Sequence, residues 1–428
     1  MNLKDINIFI FAITVITFSS CHDNKSSNDL PQLYIQTDVD DLSFGDYSYG
    51  LVTYSINIGS TGFVDNKTQI KYRGNSSAHY DKKSFSLKFD TKKSFANLDS
   101  NKVWKLNAEY IDKTFIRNKL SYDLFRQFTK GNYAPNIVYV DVFLNGDYHG
   151  IYAITERVDE NRLHLNKKSD ASVLFKEPPI SLPPEAHDKK HEKFIEFCNW
   201  AEFYKDFSKK AFDKLVSEVY YNQRYPDVNK TNMKQDIFKI TDFLFNSHDS
   251  VFANQEIFNS FFNLDNIIDL HLLLLLTNNS DGLLKNFYLS RSGAGEPFLF
   301  TPWDYDHSYG RDSDGELSLD FFLDMHRMKL IDRLLYLNPF DYRQKLYDKF
   351  ILLKKKEILT SKGINKMIDE YVKVLSLAIQ KNEVRWKLDE IEYFASTNFN
   401  KEVNIIKHWT NKRLVIVELH LENLYLNR

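Results

Sequence analysis

Apolar and polar residues alternate over 51–58, 68–73 and 84–89, and a period of two over such lengths predicts half-buried β-strands. A polar turn with one glycine, Gly74, separates the second stretch from the third. The spacing then changes: Ile116, Leu120, Leu124 and Phe128 share one face of a helix predicted over 112–128. Two more apolar runs, 137–144 and 148–155, flank Asn145-Gly146, a pair that tolerates the positive φ angles of a two-residue hairpin. The stretch 171–176 reads as one further strand. Pro178-Pro179 and Pro183-Pro184 mark a break, since proline neither donates to a ladder nor extends a helix. Beyond it the helical period dominates over 189–214, 235–245, 267–276 and from 317 to the end, closing with an amphipathic segment at 409–426. The leucine run 272–276 is too short to span a bilayer and predicts a buried core helix. Two short strands, 286–290 and 298–301, interrupt the helical half and return through Ser292-Gly-Ala-Gly295. The predicted class is α+β, with a β-rich part over 33–177 and a mostly helical part over 178–428.

Composition narrows the partners. The 428 residues can bury a large core, and 56 basic against 58 acidic side chains leave a net charge of −2. Such a balance gives no field that would attract nucleic acid. The 34 Phe and 25 Tyr suit either a large core or a stacking surface. At the front, an apolar run over 6–18 precedes Ser19-Ser20-Cys21. A run of that length suits a signal h-region, and small residues before a cysteine resemble a lipobox. Residues 1–21 therefore read as a lipoprotein-type signal and 22–32 as a tether. The chain would cross the cytoplasmic membrane and be held in a bacterial cell envelope by lipid on Cys21. Phe18 stands where leucine is usual, so a cleaved secretory signal or a retained anchor is the alternative. The only other cysteine, Cys198, lies in an aromatic helical stretch and reads as packing.

Candidate chemistry concentrates in Asp281-Gly-Leu-Leu-Lys-Asn286 and Trp303-Asp-Tyr-Asp306. An Asp five positions before an Asn, followed behind an apolar strand by an acidic pair, is how a phosphate-transferring site assembles a base and metal ligands. Asp281 is the candidate base. Asn286 and Asp304 are candidate oxygen ligands of Mg²⁺ or Mn²⁺. Alternation along a strand would put Asp306 on the face of Asp304, as a second ligand or a structural carboxylate. The plain alternative makes all four turn residues that cap two hairpin strands. His149 and His307 lack partners at ligand spacing, which argues against zinc.

Further stretches carry a family likeness. They are Lys71-Tyr-Arg-Gly-Asn-Ser-Ser77, Lys82-Lys-Ser-Phe-Ser-Leu-Lys-Phe89, Trp104-Lys-Leu-Asn-Ala-Glu-Tyr-Ile-Asp112 and Phe143-Leu-Asn-Gly-Asp-Tyr-His-Gly-Ile-Tyr152 with Glu156. Asn279-Ser-Asp281, Asn286-Phe-Tyr and Pro302-Trp-Asp-Tyr-Asp306 complete the set. In this order they resemble the CotH kinase family, the spore-coat-protein-H-like atypical protein kinases, over roughly 71–310. The resemblance implies a two-lobed, kinase-like fold and transfer of the ATP γ-phosphate to Ser of extracytoplasmic or coat proteins, with a glycan hydroxyl as the other acceptor. It also implies an ATP-binding set. Lys88, at a strand end, would meet the α- and β-phosphates, with Lys83 as its rival and a solvated lysine as the plain reading. Arg73 with the turn after it would cover phosphates. Glu156, where a hinge should run, would touch adenine or ribose or else cap a strand. Arg117 on the predicted helix reads as a surface arginine, with pairing to a phosphate or carboxylate as the alternative. Residues 178–263 and the C-terminal helices carry no matching motif. Two other classes compete: a non-catalytic, pseudokinase-like surface lipoprotein, and an Asp-x-Asp phosphatase or glycosyltransferase. The last needs parallel βαβ units around its motif.

Overall fold

The computed structural model describes residues 29–426 apart from 39, 41, 58–59, 75, 179, 181–221, 313–314, 317 and 388–397. The predicted signal and tether up to residue 28, Cys21, Cys198 and the helix predicted over 189–214 lie outside the described residues.

Seven strands close a barrel: β1 (Gln32–Thr37), β2 (Ser48–Asn57), β3 (Ser60–Arg73), β4 (Ser84–Lys93), β5 (Asn101–Asn107), β6 (Ile137–Leu144) and β7 (Asp147–Thr155). Their order is β1-β2-β3-β4-β5-β7-β6, and parallel pairing of β1 with β6 completes the ring. Alternation works as the sequence predicts. Phe85, Leu87, Trp104 and Leu106 fill the interior, while Lys88 and Lys105 leave it. The β6–β7 turn has Asn145 and Gly146 at φ 52° and 95°, the left-handed geometry that such a hairpin requires.

α1 (Arg117–Phe128) starts five residues later than the apolar spacing suggests. The Asp112 carboxylate accepts from the backbone N–H of Thr114 (3.0 Å) and of Arg117 (2.9 Å), so the preceding residues form a turn that the helix then follows. The helical part contains α2 (Lys234–Phe245), α3 (Asp249–Phe252), α4 (Gln255–Phe261), α5 (Leu264–Thr277), α6 (Ser280–Leu284), α7 (Lys329–Leu337), α8 (Tyr342–Lys355), α9 (Ser361–Arg385) and α10 (Phe399–Leu426). The leucine-rich α5 is buried all round and touches α1, α8 and α10, which makes it the axis of the larger core. No helix among the described residues is long and apolar enough to cross a membrane.

A second, antiparallel sheet has the order β11 (Leu299–Pro302), β10 (Phe287–Arg291), β8 (Val173–Lys176), β9 (Gln223–Tyr225). The strand at 171–176, read from sequence with the β-rich part, thus pairs with β10 instead of the barrel. The architecture is mixed α+β, β-rich in its N-terminal region and helical in its C-terminal region. Helix α9 ties back onto the barrel. Asn382 Oδ1 accepts from Ile151 N (3.0 Å) and from the buried Lys82 ammonium (3.3 Å), and a Cβ at Gly150 would stand 2.7 Å from that oxygen.

Candidate active site

The end of α5 sets the site's position. Asn278 leaves the helix in the left-handed conformation, and the Asn279 side chain caps α6 by accepting from Gly282 N at 2.6 Å. This short helix carries Asp281 in its first turn, where Lys285 Nζ pairs with it at 3.1 Å. Asn286 N donates to Asp281 O (2.7 Å), and Trp303 N donates to Asn286 O (3.0 Å). The β10–β11 pairing thereby brings Asp281, Asn286 and Asp304 together.

Asp304 does not follow strand alternation. Its φ is 62°, so the extended backbone ends at Pro302 and the expected shared face with Asp306 has no strand to support it. Neighbouring side chains hold this loop instead. Tyr122 Oη accepts from Asp304 N (2.8 Å), and Asn118 Oδ1 accepts from Tyr305 N (2.6 Å). The Asp304 carbonyl accepts from Asn286 Nδ2 at 2.8 Å and Asn279 Nδ2 at 3.3 Å. That use of its nitrogen leaves the Asn286 amide oxygen as the acceptor end. Tyr305 is fully buried and its hydroxyl has no hydrogen-bond partner among the described residues. A Cβ at Gly282 would lie 2.9 Å from that hydroxyl, so the Asp281 turn packs closely on the Asp304 loop here as well as through the Asn279 and Asn286 hydrogen bonds.

The acidic groups disturb one another. Burial pushes Asp304 above the ordinary carboxylate range and Asp281 adds to the push, while Arg73, Lys176 and His307 oppose it. Asp304 also reaches solvent, so water offsets part of its burial. Asp306 is pushed up by burial and then by Asp304. Buried Glu109, hydrogen-bonded to Asn118 at 3.1 Å, is raised by burial and then by Asp306 and Asp112. Such a gathering of carboxylates is relieved by a cation.

The outer face of the barrel supplies the opposite charge. Register sets Lys71 beside Ser86, Arg73 beside Ser84 and Lys105 beside Ser86. Lys105 Nζ donates to Ser86 Oγ at 3.0 Å, and Arg73 donates to Asn107 Oδ1. Burial, followed by the cations Arg73, Arg157, Lys71 and Arg224, pushes the Lys105 ammonium down to about 7. Arg73 is the largest charge acting on Asp304 and on Lys105 alike.

The other candidate residues are exposed or engaged elsewhere. Lys88 shares the face of Lys105 but stands further along β4, exposed, 5.8 Å from the Tyr47 ring centre. Lys83 is drawn into its own turn, donating to Ala78 O (2.8 Å) and Tyr80 O (2.5 Å). Glu156 is buried with both oxygens engaged: Oε1 by Arg162 at 2.9 Å, and Oε2 by Asn136 N and Nδ2, each at 3.0 Å. It fixes the chain after β7, the strand-capping alternative that the sequence offered. Arg117 is wholly buried, bridging Asp112 (2.5 Å), Glu402 (3.0 Å) and Ser308 O (2.9 Å). Sequence reasoning passed over Lys105, Lys176, Glu109, Asn118 and Tyr122. Only Lys105 left a signal, as the outward residue between inward Trp104 and Leu106. The strand before Asp304 pairs antiparallel with β10, unlike the parallel surroundings of an Asp-x-Asp phosphatase or glycosyltransferase.

The CotH kinase protein family matches residues 70–417, and the chain belongs to that family. This span takes in the stretches without recognisable motifs and most of the C-terminal helices. The chain is also similar to inner spore coat protein H of Bacillus subtilis (strain 168), 28% identical over 249 residues. The aligned part is 58% of this chain and 60% of that protein, less than two thirds of the relative's length.

Proposed function

We propose that this protein is an ATP-dependent phosphotransferase of kinase-like, two-lobed architecture that moves the γ-phosphate to a Ser or other hydroxyl of a protein. The observation that carries the reading is the basic barrel face of Arg73 and Lys105, whose Arg73 is also the largest opposing charge on Asp304 of the acidic loop. A polyphosphate bound with a divalent cation needs that pairing of charges. Arg73, Lys105 and Lys176 would hold phosphate oxygens through charge-assisted hydrogen bonds. Asp281 would accept the proton of the acceptor hydroxyl as its oxygen bonds to phosphorus and the bond to ADP breaks.

The oxygen donors present suit Mg²⁺ or Mn²⁺. Asp304 opens to solvent, and Asn286 keeps its amide oxygen as an acceptor. Among the described residues no three His, Cys, Asp or Glu side chains gather to hold a metal alone. That fits Mg²⁺, which commonly takes one or two protein oxygens together with substrate phosphates. A bound cation would offset phosphate charge during transfer. Asp306, half-buried and next to Glu109 in its electrostatics, serves better as a supporting carboxylate. The relative's name assigns that protein to the inner spore coat. For this chain, the apolar run over 6–18 and Cys21 support export and a lipid anchor in the cell envelope.

The test is phosphate transfer by the full chain with ATP and Mg²⁺ or Mn²⁺. Asp281→Ala should slow transfer about 10²–10⁴-fold with nucleotide affinity retained. A variant as fast as the wild type would remove Asp281 from the chemistry. Nucleotide binding without transfer would favour the non-catalytic binding protein.

A further inference from the structure

The cations around the cleft differ in what holds them. Lys71 donates to Gly45 O (2.9 Å), Arg73 to Asn107, Lys105 to Ser86 (3.0 Å), and Lys176 pairs with Glu177. Arg157 and Arg224 make no hydrogen bond or ion pair with any described residue. Both nevertheless act on the Lys105 ammonium and on the Tyr288 hydroxyl, so they continue the basic run outward. Together with Lys230 they line a cavity of about 620 Å³ at the β9 edge of the second sheet. Its two acids are already engaged. Glu160 Oε1 accepts from Asn161 (3.0 Å), and Asp227 Oδ1 accepts from Asn229 N (3.0 Å). The cavity therefore presents two guanidinium groups that are unpaired among the described residues, beside carboxylates that each already accept a hydrogen bond.

We propose that Arg157 and Arg224 form an anion subsite for the acceptor polypeptide, taking an acidic segment that flanks the hydroxyl to be modified. The proposal rests on the phosphotransfer reading for what the bound polypeptide is used for. Two features separate this pair from the nucleotide's cations. The inner cations are fixed by hydrogen bonds or ion pairs, as suits a ligand of fixed shape, and with a divalent metal they already offset a triphosphate. The outer pair is unanchored and surplus in charge, and a guanidinium fork matches carboxylate or phosphate oxygens two at a time. Aspartate, glutamate or an already phosphorylated serine in the acceptor would satisfy it.

The experiment is fluorescence anisotropy of the full chain with three labelled Ser peptides, identical except for Glu, phosphoserine or Gln flanks, without nucleotide. Calorimetry of ATP with Mg²⁺ runs beside it. The two anionic peptides should bind about tenfold tighter than the Gln peptide, as one net charge-assisted contact gives. Arg157→Ala/Arg224→Ala should abolish that preference without weakening ATP binding. Arg157→Glu/Arg224→Glu should instead favour a Lys-flanked peptide. Equal binding of all three peptides by the wild type would overturn the proposal. So would loss of ATP affinity in the Ala variant, which would assign the guanidiniums to the nucleotide. Because peptide binding is read without ATP, discrimination by a chain that transfers no phosphate would sink phosphotransfer alone.

Discussion

On the basic face of the barrel, Arg73, Ser86 and Lys105 project from paired strands, at positions fixed by the β3–β4 and β4–β5 registers. On the other side, Asp281 rides on a five-residue helix and Asp304 on a left-handed residue beyond a strand end. The barrel face is held by a backbone ladder, which a change at one side chain leaves in place. The acidic loop is held by Asn118, Tyr122, Asn279 and Asn286, so side-chain hydrogen bonds from several elements decide where its carboxylates stand. The two walls should therefore answer mutation differently.

The largest effect on nucleotide binding belongs to Lys105 on the barrel face. Lys105→Ala should weaken nucleotide binding about 10- to 100-fold, the worth of charge-assisted hydrogen bonds of about 1.5–3 kcal/mol. Lys88→Ala should change it less than about twofold, as an exposed charge does, and an equal loss in both would break the assignment. The ammonium of Lys105, held near 7 by burial and neighbouring cations, would be raised by bound phosphate. Wild-type affinity should thus fall as pH rises from about 7 to 9, with proton uptake on binding, and Lys105→Ala should lose that dependence. Calorimetry in buffers of different ionisation heat reads both.

Next comes the acidic wall. Gly282→Ala pushes a methyl against the Tyr305 hydroxyl and should lower turnover about tenfold, a 1.4 kcal/mol effect. Adding Tyr305→Phe removes the clashing atom and should restore much of the rate. No rescue in the double variant would mean that the contact does not position Asp281. The smallest effect on the ligand is expected at Glu156. Glu156→Gln should lower the unfolding temperature, because Arg162 loses a buried charged partner, and leave nucleotide affinity within about twofold. A large loss of affinity with unchanged stability would return Glu156 to the nucleotide site.

Legibility followed the same division. Strands, the Asn145-Gly146 hairpin, α5 and the grouping of Asp281, Asn286 and Asp304 could be read because periodicity and turn chemistry are local. Register is not local, and that is why Lys88 stood out in the sequence while Lys105 faces Ser86 and neighbours Arg73. Glu156 stayed open between nucleotide and strand cap, and the burial of Arg117 could not be read, because a partner as distant as Glu402 leaves no mark on the residues around it. The strand at 171–176 was visible, but its partner, more than a hundred residues on, was not. Asp304's left-handed backbone likewise broke an alternation that the sequence alone continues.

The most direct test of the two-walled cleft is ATP affinity with Mg²⁺ and with a chelator, for the wild type and for Asp304→Ala. The wild type should bind at least about tenfold tighter with Mg²⁺. Asp304→Ala should lose that gain and keep the chelator-state affinity that the barrel cations provide. Affinity indifferent to Mg²⁺ in the wild type, or an undiminished Mg²⁺ effect in Asp304→Ala, would contradict the account.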